Sequence, residues 1–173
     1  MVTLLSFTAC SGSETIKEVE LKYDDGISDG KHGLGGVGYG FLVEYEPPQG
    51  PYTIKEVLVS GELVGIGYEN RKVVILIWDE YGEEIYKISV PHANFEGVEW
   101  KSIQIPDIVV NSKFSVVVIT DTPREGGFYL HYDSSTENKH SALVQDWEKK
   151  PWDVKVSEKE TNWMIRVKGT VNE

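Results

Sequence analysis

An acidic loop near the start of the chain carries the residues best suited to chemistry. Asp24, Asp25 and Asp29 fall within the short stretch Asp24–Gly30, which also contains Ser28. Calcium takes about six to eight hard oxygen ligands, and a turn that carries several carboxylates and free carbonyls can supply them. The spacing is not that of an EF-hand loop, and Asp-Gly pairs are also ordinary turn formers. The loop therefore has two interpretations, a calcium site or a plain turn.

Two tryptophans lie in a polar loop late in the chain. Trp147 and Trp152 flank the stretch Glu148–Pro151. Exposed aromatic rings can stack on a sugar ring or anchor a protein partner, which makes these two residues candidates for ligand binding. The alternative is that they pack against the rim of the core, because large aromatic side chains are mostly buried.

The other motifs argue against an enzyme. The four histidines form no H-E-x-x-H motif and no close pair at metal-ligand spacing, and no serine stands in a G-x-S-x-G setting. Gly33–Gly38 matches G-x-G-x-x-G, but a turn-rich loop precedes it and an alternating strand follows it, so it lacks the context of a dinucleotide site. We therefore predict no catalytic residues and no enzymatic activity. Because carboxylates are abundant, a hydrolase with an unidentified carboxylate pair stays open as an alternative.

The elements that must position these residues are β-strands. Apolar and polar residues alternate in Val19–Tyr23, and Tyr39, Phe41, Val43 and Tyr45 share one face of the next strand, which is the period of two expected of β-strands. Val73–Trp78 is almost wholly apolar, as expected of a central strand covered on both faces, and Asp79–Gly82 then turns the chain. Further strands are predicted at 54–60, 84–90, 98–105, 113–120, 127–133, 141–146, 152–156 and 162–171. No window shows a convincing helical pattern.

Many short strands without alternating helices predict one all-β domain. We expect an antiparallel β-sandwich of two sheets over residues 19–171, preceded by a leader and tether over residues 1–18. The formal charge of −11 comes from 28 acidic and 17 basic residues, and this balance repels phosphate backbones. The sequence therefore predicts no nucleic-acid partner. No stretch approaches the length of apolar residues that a membrane-spanning helix needs.

The single cysteine of the chain occupies a distinctive position. Cys10 closes the tetrapeptide Phe7-Thr8-Ala9-Cys10, directly after the apolar run Met1–Leu5 and before the polar run Ser11–Glu14. This arrangement resembles the lipobox of a secreted lipoprotein, in which the thiol is acylated and a polar tether leads to the folded domain. The resemblance implies a lipid on Cys10, an extracytoplasmic location, and contact with a membrane only through that lipid. The alternative is that Cys10 is an ordinary small residue in the terminus.

The order of motifs along the chain resembles a known class of module. The motifs are Tyr23–Gly26, Tyr39–Phe41, Val73–Asp79, Glu99–Trp100, Phe114–Val118, Tyr129–Asp133 and Asn162–Arg166. Together they are similar to the jelly-roll, galactose-binding-like domains found alone on secreted archaeal and bacterial lipoproteins or attached to surface proteases. Such domains often hold a structural calcium ligated by an early loop and a late strand. The resemblance therefore implies that Asp133 is the late partner of Asp24, Asp25 and Asp29.

These observations predict a lipid-anchored, extracytoplasmic, non-enzymatic binding or interaction module. Its partner is expected to be a surface protein or a glycan. The first alternative is a carbohydrate-binding module that uses the loop aromatics, and the second is the hydrolase. Calcium is the one candidate cofactor.

Overall fold

Thirteen strands and one short 3-10 helix make up the regular structure of the part of the chain described by the computed structural model, residues 15–35, 38–48, 50–66, 70–97, 99–120, 126–137, 140–145, 153–156 and 161–172. The strands are β1 (Ile16–Leu21), β2 (Gly30–His32), β3 (Tyr39–Tyr45), β4 (Tyr52–Gly65), β5 (Lys72–Trp78), β6 (Glu84–Pro91), β7 (Trp100–Val110), β8 (Phe114–Thr120), β9 (Gly126–Asp133), β10 (Ser141–Gln145), β11 (Asp153–Val156), β12 (Asn162–Trp163) and β13 (Ile165–Asn172). The 3-10 helix spans His92–Phe95, between β6 and β7.

The strands form two antiparallel sheets, and the predicted all-β sandwich is confirmed. The seven-stranded sheet has the order β1-β13-β4-β9-β12, with β7 beside β4 and β2 beside β9. The six-stranded sheet has the order β11-β10-β3-β8-β5-β6. Within the described ranges, no helix is long and apolar enough to cross a bilayer.

The first strand begins earlier than its sequence pattern indicates. β1 starts at Ile16, inside the stretch expected to be a tether, because Ile16 pairs with Asn172 and the ladder continues to Leu21 opposite Val167. Residues 16–18 are all exposed. Pairing at a sheet edge needs only backbone groups, so this part of the strand leaves no alternation of apolar and polar residues in the sequence.

The strand β4 runs past the glycine at which it was predicted to end. A side chain at Gly61 would place its Cβ 2.4 Å from the Phe128 ring and 2.5 Å from the Tyr129 carbonyl oxygen. Glycine is therefore needed for close packing of β4 on β9 rather than for a turn. Likewise β7 continues through Pro106, beyond the end predicted for this strand at residue 105, and its register with β4 shifts nearby.

The core lies between the two sheets and is built from alternate residues of each strand. Phe41 and Val43 of β3 and Tyr52 and Ile54 of β4 are all buried there. The Tyr45 hydroxyl donates a hydrogen bond to the Ile165 carbonyl oxygen at 2.5 Å and so ties the two sheets together.

The outer face of the six-stranded sheet carries a second buried apolar cluster, made of Leu42, Leu76, Trp78, Val117, Ile119, Ala142 and Val144. On β5, Ile75 and Ile77 belong to the inner core while Leu76 and Trp78 belong to this outer cluster. The prediction of a central strand covered on both faces is therefore confirmed.

Candidate functional site

The structure brings three of the four predicted calcium ligands into one hydrogen-bonded cluster. Strand β2 pairs with β9, with Gly30 opposite Tyr132, and this pairing sets the loop 24–29 against the turn 133–136. The Asp29 backbone N–H donates to the Tyr132 carbonyl oxygen at 2.9 Å. The carboxylate of Asp29 accepts hydrogen bonds of 2.8 Å from both the backbone N–H and the hydroxyl of Ser134.

Asp133 is the centre of this cluster. Its side chain is fully buried, and one carboxylate oxygen accepts from the backbone N–H and the hydroxyl of Ser135, both at 2.7 Å. The other oxygen accepts from the Asp25 backbone N–H at 2.9 Å and from the Thr136 hydroxyl at 2.8 Å. Burial opposes ionisation of Asp133, but the hydrogen bonds from Ser135, Thr136 and Asp25 outweigh it and lower the pKa of Asp133 to about 2.

Asp24 lies apart from this cluster and pairs with Arg166. Its carboxylate is buried and accepts from the guanidinium Nε of Arg166, at 3.1 Å from each oxygen, and from a second guanidinium nitrogen. Arg166 also contacts Glu20 at 3.3 Å and lies over the Trp100 ring, with its central carbon 4.3 Å from the ring centre. Asp24 therefore links the loop to β13 through Arg166, a partner that no sequence pattern suggested.

The carboxylates of the acidic loop are thus satisfied by protein donors. Across the described residues, no group of three or more His, Cys, Asp or Glu side chains is arranged to hold a metal ion. Calcium binding by Asp24, Asp25, Asp29 and Asp133 would require these hydrogen bonds to be replaced by metal contacts. Calcium binding stays a prediction, which a calcium titration can test. The other three predicted site residues, Cys10, Trp147 and Trp152, lie outside the described residues.

A different site, which the sequence did not suggest, lies where β4 loses its neighbour β7. This cleft, hereafter the His131 cleft, has a volume of about 410 Å³. It is bounded by the second part of β4, by the 3-10 helix with the turn after it, and by β9. Its polar side chains are those of Glu62, Glu96, Glu99 and His131, and its apolar lining comes from Leu63 and Phe95.

His131 is held in the cleft by Ser60. The Ser60 hydroxyl lies 2.9 Å from the imidazole Nδ1. Ser60 is fully buried, so its hydroxyl proton needs an acceptor, and Nδ1 can provide one in the tautomer that leaves it unprotonated. Burial lowers the pKa of His131, against the opposing effect of Glu62 and Glu99. In that tautomer the neutral ring carries its proton on Nε2, which can donate to a ligand.

The glutamates of the cleft differ in their partners. Glu62 forms an ion pair with Lys31, which lies opposite His131 in the pairing of β2 with β9. The hydrogen bond from Lys31 lowers the pKa of Glu62. In the described part of the chain, neither Glu96 nor Glu99 forms an ion pair, so the cleft carries an excess of negative charge.

A second groove, among the described residues, is lined by side chains of both charges. It lies beside β1, has a volume of about 490 Å³, and is lined by Glu18, Glu20 and Glu56 together with Lys55 and Lys168. Lys168 lies 3.7 Å from Glu20, an ion pair within the groove itself. The His131 cleft is the better candidate for a cationic or polar ligand because no Lys or Arg is among the described residues that line it, whereas Lys55 and Lys168 line the other groove.

No family model matches this chain, and no curated protein is significantly similar to it. The sandwich architecture and the geometry of the cleft are therefore the basis for any assignment of function.

Proposed function

We propose that this chain is a non-enzymatic binding module, exported and anchored through a lipid on Cys10, that takes its ligand in the His131 cleft. The β-sandwich supports this proposal because such sandwiches present binding sites on rigid strands and on the loops beside them. The finer assignment, a jelly-roll module similar to galactose-binding-like domains on secreted lipoproteins, is part of the same proposal.

The observation that carries the proposal is the composition of the cleft. Ligand sites combine an apolar surface with a few polar groups that fix orientation. Here Leu63 and Phe95 supply the apolar part, Glu96 and Glu99 supply acceptors, and Nε2 of His131 supplies a donor. All five belong to strands or to the segment between β6 and β7 that begins with the 3-10 helix.

Binding is favoured over catalysis by the position of the one hydroxyl beside the histidine. Ser60 approaches His131 as a nucleophile approaches its base, but its side chain is fully buried. A substrate carbonyl cannot reach an oxygen that has no exposed surface, so the pair orients the imidazole and performs no acyl transfer. The hydrolase alternative would instead need two of the cleft glutamates as an acid and a base.

The partner class follows from the surface chemistry. A surface protein or a glycan can offer the donors that Glu96 and Glu99 require, whereas a nucleic acid would be repelled by a chain of charge −11. The carbohydrate-binding alternative depends on Trp147 and Trp152 and is tested by the same ligand panel.

The experiment is a titration of the ¹⁵N-labelled full chain with a panel of end-blocked peptides and oligosaccharides, followed by backbone amide shifts. We expect a ligand in the panel to shift the amides of Glu62, Leu63, Gly97 and His131 together. Glu99→Arg should abolish these shifts, because it puts a cation in the cleft.

Glu84→Arg is the matched control, since Glu84 is an exposed glutamate on β6 of the other sheet. Shifts that map elsewhere and persist in Glu99→Arg would contradict the proposal, as would a panel with no binder. Turnover of a glycoside that Glu99→Gln or Glu62→Gln removes would establish the hydrolase instead.

A further inference from the structure

The His131 cleft contains an open strand edge. The pairing of β4 with β7 ends at Ser60, opposite Trp100. One residue further, the Gly61 N–H still donates to the Glu99 carbonyl oxygen at 3.3 Å, and within the described ranges this is the last hydrogen bond across that edge. Strand β4 nevertheless continues to Gly65.

The direction of the backbone groups follows from this bond. Gly61 points its N–H toward Glu99 and away from β9, while Ser60 points its N–H to the opposite side, toward the Met164 carbonyl oxygen at 3.0 Å. Successive residues of a strand point to opposite sides, so Leu63 repeats the direction of Gly61. The N–H and C=O of Leu63 therefore face the cleft, where a further strand could pair with them.

The side chains around this edge select the occupant. Glu96 and Glu99 follow the 3-10 helix and lie beside the edge, and both line the cleft with Leu63. An extended peptide that paired with Leu63 would bring its own side chains next to these carboxylates. Carboxylates favour lysine or arginine there and penalise an acidic segment or a second copy of this acidic chain.

We propose that the edge of β4 in the His131 cleft captures an extended, basic peptide segment of a partner protein, by main-chain pairing at Leu63 and by ion pairs with Glu96 and Glu99. This inference rests on the proposed function, because it names the ligand class of the same cleft. Addition of a strand to a sheet edge gives affinity through the backbone, while the flanking pockets and charges give specificity.

The test uses a fluorescent, end-blocked hexapeptide of alternating lysine and valine, with the full chain and anisotropy as the readout. The matched peptides replace lysine by glutamate or by threonine. We expect only the lysine peptide of the three to bind. Rising salt should weaken its binding, because salt screens exposed ion pairs. The double variant Glu96→Gln/Glu99→Gln should lower its affinity by about tenfold, and Glu84→Gln should leave the affinity unchanged.

Main-chain pairing is tested separately by N-methylation of the lysine peptide. Two peptides are compared, which carry the methyl groups on the two alternate sets of residues, so each lacks the N–H donors along one edge of the strand. The peptide methylated along the edge that faces β4 should not bind, and the peptide methylated along the other edge should bind. Equal binding of both methylated peptides would overturn strand addition. Equal affinity of the wild type and the Gln/Gln variant would overturn the ion pairs.

The outcomes separate this inference from the proposed function. If the threonine peptide or an oligosaccharide shifts the cleft amides and the lysine peptide does not, the inference is wrong and the cleft is still a binding site. If no member of the panel shifts these amides, both are wrong.

Discussion

Replacement of Asp133 by asparagine tests whether the hydrogen bonds of the acidic cluster stabilise the fold. The wild-type carboxylate accepts from two donors on each oxygen, with Ser135 on one side and Asp25 and Thr136 on the other. Asparagine keeps one of the two acceptor oxygens. Its NH₂ group takes the place of the other oxygen and faces the groups that donated to it. At least two hydrogen bonds to a charged group are lost, each worth about 1.5–3 kcal/mol. We expect Asp133→Asn to lower the free energy of unfolding by about 3–6 kcal/mol, and Tm by roughly 6–24 °C.

The same variant should change the dependence of stability on pH. The pKa of Asp133 is about 2 in the folded protein, against an ordinary value of 3.8. A depressed folded-state pKa contributes stability that is complete above about pH 4 and is lost as pH falls through about 2. This difference corresponds to at most about 2.5 kcal/mol, and because the turn lies near the surface we expect about 1–2 kcal/mol. The difference in free energy of unfolding between wild type and Asp133→Asn should therefore become smaller as the pH falls from about 4 to about 2.

A second aspartate provides the matched control. Asp79 accepts the backbone N–H groups of Tyr81, at 2.9 Å, and Glu83, at 2.8 Å, on a single oxygen. Asparagine can reproduce this arrangement, so Asp79→Asn should change stability by less than about 0.5 kcal/mol. The measurement is urea unfolding followed by circular dichroism, at several pH values. Equal losses in both variants, or a pH-independent gap for Asp133→Asn, would refute the reasoning.

Three further predictions follow from the sequence and from the cluster. Expressed from the full-length gene in its own host, the protein should partition with membranes and Cys10→Ser should stay soluble, because two acyl chains give stable anchoring; equal retention of both forms would contradict lipidation. If calcium binds at the acidic loop, a concentration of a hundred times Kd should add about 2.7 kcal/mol of stability, which chelator and Asp25→Ala each remove; an unchanged Tm would leave a plain hydrogen-bonded turn. If Trp152 is an exposed ligand contact, iodide should quench it and Trp152→Ala should leave stability nearly unchanged, whereas a loss of about 3–5 kcal/mol would show a buried ring.

Strand positions could be read from the sequence wherever one face of the strand is buried. The predicted strand Tyr39–Tyr45 matches β3 residue for residue, and the apolar run Val73–Trp78 matches β5 except for Lys72. The pattern failed where neither face of the strand is buried. β2 is three residues long and largely exposed, and the first half of β1 is exposed as well. Both are strands because of backbone pairing, which leaves no trace in residue type.

The acidic loop shows how far sequence reasoning reached at a site. Its carboxylates were identified from composition, and Asp133 was connected to them by resemblance. Their actual partners are backbone N–H groups, the hydroxyls of Ser134, Ser135 and Thr136, and, for Asp24, Arg166. These donors are set by the register of β2 on β9 and by the course of β13, which no local pattern encodes.

Local sequence was sufficient to predict the all-β class and most strand positions, because a period of two is a property of neighbouring residues. The His131 cleft, in contrast, depends on how distant strands pair. Glu62, Glu99 and His131 come from separate segments and meet because β9 pairs with the second part of β4 just where β7 begins to pair with the first. That meeting depends on register between strands far apart in the chain, and register is fixed by packing of the whole sandwich rather than by any segment alone.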